Sequence, residues 1–105
     1  MKNLLVLLPL AGLLAGCAGS PVAVANADGG IPVRVGEDTI IVSQSEGVWQ
    51  AGFKDYMAKT IYSNNLIVMQ RKAKLTAAIE IVSKCKVQDS TIDPIGVVLH
   101  AQVKC

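Results

Sequence analysis

Hydrophobic and polar residues alternate over the last nine positions of the chain. One side of this alternation is apolar and consists of Val97, Leu99, Ala101, Val103 and Cys105. A period of two is typical of a half-buried strand. The preceding stretch 93–96, Asp-Pro-Ile-Gly, has the composition of a turn, and residues 86–92 before it are the predicted partner strand. The pattern therefore predicts a C-terminal β-hairpin.

Two further elements are predicted from the same kind of pattern. The β-prone runs 31–35 and 39–43 are separated by Gly-Glu-Asp at 36–38, which predicts an N-terminal hairpin. A helix is predicted over 66–84 after a break at 63–65, because good helix formers fill its centre. Apolar residues recur there at helical spacing, namely Val68, Leu75, Ala78, Ile79 and Val82.

The segment between these elements, residues 46–62, has two interpretations. Ser-Gln-Ser-Glu at 43–46 matches a capping box, which marks the start of a helix. Four apolar residues then follow at helical steps, namely Trp49, Phe53, Tyr56 and Met57. Gly47 and Gly52 each weaken a helix by about 1 kcal/mol, and a strand over 49–53 stays open as the alternative.

Together these elements predict an α+β domain. Its N-terminal β-hairpin, one or two helices and C-terminal hairpin would place a helix on one face of an antiparallel sheet. Three of the four aromatic residues, Trp49, Phe53 and Tyr56, lie close together in sequence and are interpreted as core.

A different pattern occupies the start of the chain. Residues 1–3 carry one positive charge, and the run from Leu4 to Leu14 is almost wholly apolar. This run is typical of a secretory signal peptide and is well short of the roughly 20 residues that span a bilayer. Residues 14–17, Leu-Ala-Gly-Cys, resemble the lipobox of bacterial lipoproteins.

The resemblance implies that Cys17 becomes the lipidated N-terminus of the mature chain. Residues 1–16 would then be the signal peptide, 17–30 a lipidated flexible linker rich in small residues, and 31–105 the folded periplasmic domain. Two or three acyl chains, palmitate among them, hold a protein on a membrane far better than one. Ala18 after the cysteine favours the outer membrane. An ordinary secreted protein and an uncleaved anchor are the alternatives.

The remaining two cysteines, Cys85 and Cys105, are predicted to form a disulfide. Export places them in an oxidising compartment, and a hairpin turning near residues 94 and 95 brings them opposite each other. A redox pair is usually closer in sequence. A metal site needs more ligands than two cysteines and His100 supply.

Charge and motifs restrict the function further. Without its leader the chain has nine Lys and Arg against eight Asp and Glu, so no strong basic field points to nucleic acid. Arg71, Lys72 and Lys74 crowd one turn of the predicted helix and form either a solvated face or a contact for a partner. No nucleotide, metallopeptidase or nucleophile motif occurs, and His100 is interpreted as a surface residue. We expect no cofactor and no enzymatic activity.

Three functions follow from these observations. The first is a non-enzymatic accessory lipoprotein that binds a periplasmic or outer-membrane protein through a sheet edge or the basic residues. The second is a periplasmic inhibitor or immunity lipoprotein against a lysozyme or a toxin. The third is binding of a small apolar ligand, which the size of the domain disfavours.

Overall fold

Five antiparallel strands form one sheet, and a long helix packs on one of its faces. The computed structural model describes residues 23–24 and 29–105, so the predicted signal peptide 1–16 and Cys17 lie outside the described residues. The sheet order is β1-β2-β3-β5-β4, and the predicted α+β class is confirmed. The elements are β1 Ile31–Val35, β2 Asp38–Ser45, β3 Val48–Phe53, α1 Tyr56–Lys59, α2 Asn65–Ser83, β4 Lys86–Ile92 and β5 Val98–Lys104.

The capping-box interpretation of residues 43–46 is wrong, and the alternative strand is confirmed. Ser45 pairs with Val48, so Glu46 and Gly47 form a two-residue hairpin turn between β2 and β3. Both turn residues have positive φ, 52° and 81°, as the turns that match strand twist require. The apolar residues of β3 therefore follow the period of a strand.

The predicted C-terminal hairpin is confirmed, together with its disulfide. Lys86 pairs with Lys104, and one irregularity between Val87 and Asp89 shifts the register by a residue. The hairpin places Cys85 and Cys105 opposite each other, with their Cα atoms 4.6 Å apart in a disulfide. Asp93 organises the turn, since its carboxylate accepts hydrogen bonds from the backbone N–H groups of residues 95, 97 and 98.

Helix α2 has the predicted bounds to within one residue at each end. The Asn64 side chain accepts a hydrogen bond from Ile67 N at 2.9 Å and caps the N-terminus. The helix ends at Lys84, whose backbone is left-handed with φ 60°. Its inner face buries the predicted stripe, with Leu75, Ala78 and Ile79 fully buried.

The sheet has a helix-covered face and an opposite face. Buried residues at alternate positions of the three central strands point toward α2, and these are Ile40, Val42, Ala51, Phe53, Leu99 and Ala101. The opposite face has a shorter apolar row in which Ile41, Gly52 and Val98 are paired neighbours. Val98 is thus buried, although the alternation had placed it on the polar side.

One residue of the predicted linker 17–30 belongs to this packing. Val24 is fully buried and is part of the hydrophobic core. Its side chain lies directly over Gly52, on the face of the sheet away from α2.

Replacing both cysteines of the bridge should destabilise the domain substantially. A closed loop with a sequence separation of 20 is worth about 3 kcal/mol through the entropy of the unfolded chain. We expect Cys85→Ala with Cys105→Ala to lower the urea midpoint accordingly, measured in a Cys17→Ser background. The reduced wild-type bridge is the control and should match the double variant. An unchanged midpoint would contradict a stabilising role.

Candidate interaction surface

The three basic residues predicted as a partner contact do not form one free surface. Arg71 donates hydrogen bonds to the carbonyl oxygens of Ile95, at 2.8 Å, and Tyr62, at 3.0 Å. It therefore ties the β4–β5 turn and the segment before α2 to the helix. Lys74 binds Asp38 on β2, and Lys72 alone is exposed.

Asp38 holds two lysines on the inner side of α2. Its carboxylate is 2.7 Å from Lys74 Nζ and 2.9 Å from Lys59 Nζ, and its side chain is only 12% exposed. Burial raises the pKa of this carboxyl, but the hydrogen bonds and charges of Lys74 and Lys59 outweigh burial and hold the pKa below its ordinary value of 3.8. The Lys59 ammonium also lies 4.6 Å from the centroid of the Phe53 ring. These charges stabilise the fold.

The surface of α2 that faces away from the sheet carries an apolar stripe, with Gln70 and Glu80 beside it. We call it the α2 outer face and define it by five residues at steps of three or four, namely Leu66, Met69, Ala73, Ala77 and Ile81. Its three large side chains are 58–68% exposed. A surface helix normally has one apolar stripe and one polar stripe, whereas α2 has apolar residues on both sides.

More exposed apolar side chains precede the helix. Met57, Ile61 and Tyr62 lie on α1 and on the connection to α2, with exposures of 68%, 85% and 66%. Tyr and Met are enriched where proteins bind one another. Together with the start of the α2 outer face, they give five large exposed apolar side chains between residues 57 and 69.

A shallow groove runs along the α2 outer face. It has a volume of about 460 Å³, and its lining residues are Met69, Lys72, Ala73, Thr76, Ala77 and Glu80. The two alanines form its floor because they are shorter than the residues around them. The Glu80 carboxylate already accepts a hydrogen bond from Val87 N at 2.9 Å, while Lys72 has no ion pair within residues 29–105.

Sequence reasoning missed this surface because it followed only the buried stripe of α2. The missing signal was the second stripe, since Leu66, Met69 and Ile81 have no place on the inner face. Tyr62 carried a second signal as the one aromatic residue outside the segment 49–56. The core interpretation holds for that segment, where Phe53 is fully buried and Trp49 and Tyr56 pack against the core.

The opposite face of the sheet holds His100 in an open groove whose lining includes Val48, Asp89 and Gln102. His100 lies between Gln50 and Thr91 in the strand register, and no hydrogen bond joins its side chain to another described residue. No group of three or more potential metal ligands occurs in the part of the chain that the structure describes. None of the helices in that part is long and apolar enough to cross a membrane.

The two edges of the sheet are poorly suited to pairing with a partner strand. Pro32 lies within the β1 edge, and the irregular register near Asp89 interrupts the β4 edge. Prolines and irregular pairing are common ways in which proteins block edge-to-edge association. The α2 outer face is thus the better candidate for an interaction surface.

The chain matches no family model, no curated protein and no solved structure.

Removing the Asp38 carboxylate should lower the stability of the domain and make that stability less dependent on pH in acid. Because the pKa of Asp38 is lowered in the fold, its stabilisation is complete above pH 3.8 and is lost as pH falls through the folded-state pKa. We expect Asp38→Asn to lose about 1.5–3 kcal/mol at neutral pH and to depend less on pH below that value, measured by urea unfolding. The exposed Asp55→Asn is the matched control and should behave like the wild type. Parallel stability profiles for Asp38→Asn and the wild type would contradict this role.

Proposed function

We propose that this chain is a lipid-anchored, non-enzymatic interaction protein of the bacterial cell envelope, which binds a protein partner through the α2 outer face. The anchor is the acylated Cys17, and Ala18 after it favours the outer membrane, with the domain in the periplasm. The observation that carries the proposal is the second apolar stripe of α2, which no described residue covers.

Keeping this stripe in water costs free energy, and the fold itself does not require apolar residues there. Each large apolar side chain that stays in water forgoes about 1.5–3 kcal/mol of burial. Residues 66, 69 and 81 on one helix are all more than half exposed, and contiguous apolar patches of this kind mark interaction sites. In a domain that binds no partner, Lys, Glu or Gln would be expected at these outward positions.

The charges around the stripe indicate the chemistry of the partner. Lys72 lines the groove and Lys84 ends the helix, and neither has an ion pair within residues 29–105. The one acidic residue beside them, Glu80, is engaged by Val87 N and lies 3.9 Å from Lys86. The matching partner is a protein segment with apolar side chains at its centre and carboxylates at its edges.

The shape of the groove favours a long apolar element of a partner, such as one face of a helix, over a single bulky side chain. Ala73 and Ala77 let a partner backbone approach the helix closely, and the flexible Met69 adapts to the side chains that arrive. Large flanking residues would then close around the contact. A helix laid along α2 satisfies all of these conditions.

A photo-crosslinking residue at Ala73 should capture this partner in intact cells. The same residue at Gln102, exposed on the opposite face of the sheet, is the matched control. We expect one dominant envelope protein from position 73 and not from position 102. We also expect Lys72→Glu to reduce its yield, because the edge charge then repels carboxylates.

Four other outcomes would contradict the proposal. A product of twice the monomer mass would assign the α2 outer face to a second copy of the chain. Capture of lipid alone would assign it to the bilayer. Equal yields from positions 73 and 102 would show no specific surface, and a captured hydrolase or toxin would favour the inhibitor function.

Charge on the groove floor should weaken binding without unfolding the domain. We expect Ala73→Glu to weaken the captured complex by about tenfold or more, as interface hot spots do. Its unfolding free energy should stay within about 0.5 kcal/mol of wild type, since the position is exposed. Gln102→Glu is the control, and titration of the purified partner is the measurement. Unchanged affinity would exclude this groove as the binding site.

Acylation should depend on Cys17 alone among the three cysteines. We expect Cys17→Ser to abolish incorporation of labelled palmitate and to release the protein from the membrane fraction. Cys105→Ser removes a cysteine of the bridge and is the matched control, which should keep the label. Label retained by Cys17→Ser would contradict the anchor.

A further inference from the structure

A single valine ahead of β1 lies deep in the fold. Val24 is fully buried, although most of the residues around it in sequence are small or polar, as in a linker. A Cβ atom placed on Gly52 would lie 2.9 Å from Val24 Cγ1 and 3.4 Å from Val24 Cβ. The glycine therefore leaves a notch that the valine side chain fills.

This notch lies at the centre of the sheet face that α2 does not cover. Gly52 pairs with Ile41 on one side and with Val98 on the other. Ile41 is 8% exposed and Val98 is 2% exposed, so the row is apolar across three neighbouring strands. Elsewhere this face carries polar side chains such as those of Gln50 and His100. Val24 thus lies over the middle of this apolar row, where Gly52 leaves space for it.

We propose that Val24 docks the segment ahead of β1 into the Gly52 notch and thereby sets the length and direction of the lipid tether. The tether role rests on the proposed function, whereas the docking does not. The docking requires glycine at position 52, because any larger side chain there would occupy the space of Val24.

Docking at Val24 shortens the reach of the domain. Val24 follows Cys17 by seven positions, which span at most about 25 Å when the chain is fully extended. Ile31 follows Cys17 by fourteen positions, which span at most about 50 Å. The docked chain therefore keeps the domain within half the distance from the bilayer that a free linker would allow.

Docking also fixes which way the domain faces. Val24 lies on the sheet face that carries Gly52, and α2 packs on the opposite face. With the notch turned toward the bilayer, the α2 outer face points away from the lipid and into the periplasm. This orientation presents the groove to a protein partner.

Paired cysteines test the docking directly in the full exported chain. The 3.4 Å between Val24 Cβ and a Cβ on Gly52 is near the separation found in disulfides. We expect Val24→Cys with Gly52→Cys to form a near-complete bridge, identified by peptide mapping. Val24→Cys with Gln50→Cys is the matched control, since Gln50 lies on the same face two residues along β3. It should form only a minor product. Equal bridging in both pairs, or none in either, would overturn the docking.

The tether role is tested with the acylated protein on vesicles of phosphatidylethanolamine and phosphatidylglycerol that contain a dansyl-labelled lipid. Trp49 is the only tryptophan, so energy transfer from it to dansyl reports how close the domain stays to the bilayer. We expect Val24→Asp to lower the transfer, while the 24–52 bridge preserves it. Equal transfer in all three proteins would overturn the tether role. A chain without acyl groups would contradict the proposed function, and the cross-link result would still decide the docking.

Discussion

The register of β3 is the constraint on which the rest of the structure depends. β3 pairs with β2 on one side and with β5 on the other, so it joins the two hairpins into one sheet. Its last three residues alternate in side: Ala51 and Phe53 face α2, while Gly52 faces the opposite surface. A slip of one residue would put Phe53 on the wrong face and Gly52 into the core. Both layers of packing would be lost together.

The two-residue turn at Glu46 and Gly47 keeps this register. A hairpin turn of fixed length determines which residues of β2 and β3 face each other. It aligns Ile40 with Phe53 on the helix-covered face and Ile41 with Gly52 on the other. The helix packs on the side of the first pair, and Val24 lies against Gly52 of the second. One turn therefore positions both the candidate interaction surface and the notch, although they lie on opposite sides of the sheet.

Sequence patterns predicted the elements whose local signals agree with their place in the fold. β5 alternates cleanly because one of its faces is buried by α2, and α2 has a cap at Asn64 and good helix formers in its centre. β3 was ambiguous because its aromatic residues satisfy a helical spacing as well as a strand period. The pairing of β3 with β5 decides between them, and no local pattern encodes a contact between segments nearly 50 residues apart.

The candidate surface was harder to predict than the fold. Arg71 and Lys74 have the composition of a binding patch, but the groups that they bind within the fold, Ile95 O and the Asp38 carboxylate, lie far away in sequence. The buried state of Val24 depends in the same way on a glycine 28 residues further along the chain. The sequence shows which groups a residue could bind, whereas the fold decides whether a partner within the domain already binds them.

The distribution of polar and apolar residues suggests that the two sides of the domain have different roles. On the open face, Val24 lies over Gly52 in the middle of the apolar row, and this face also carries polar residues such as Gln50 and His100. On the helix side, α2 covers the core completely but leaves its own outer stripe in water. A domain of this size has few apolar side chains to spare, and burial of those it has provides most of its stability. That three large ones stay exposed on one helix face is therefore best explained by a contact made outside the domain, on the side away from Val24.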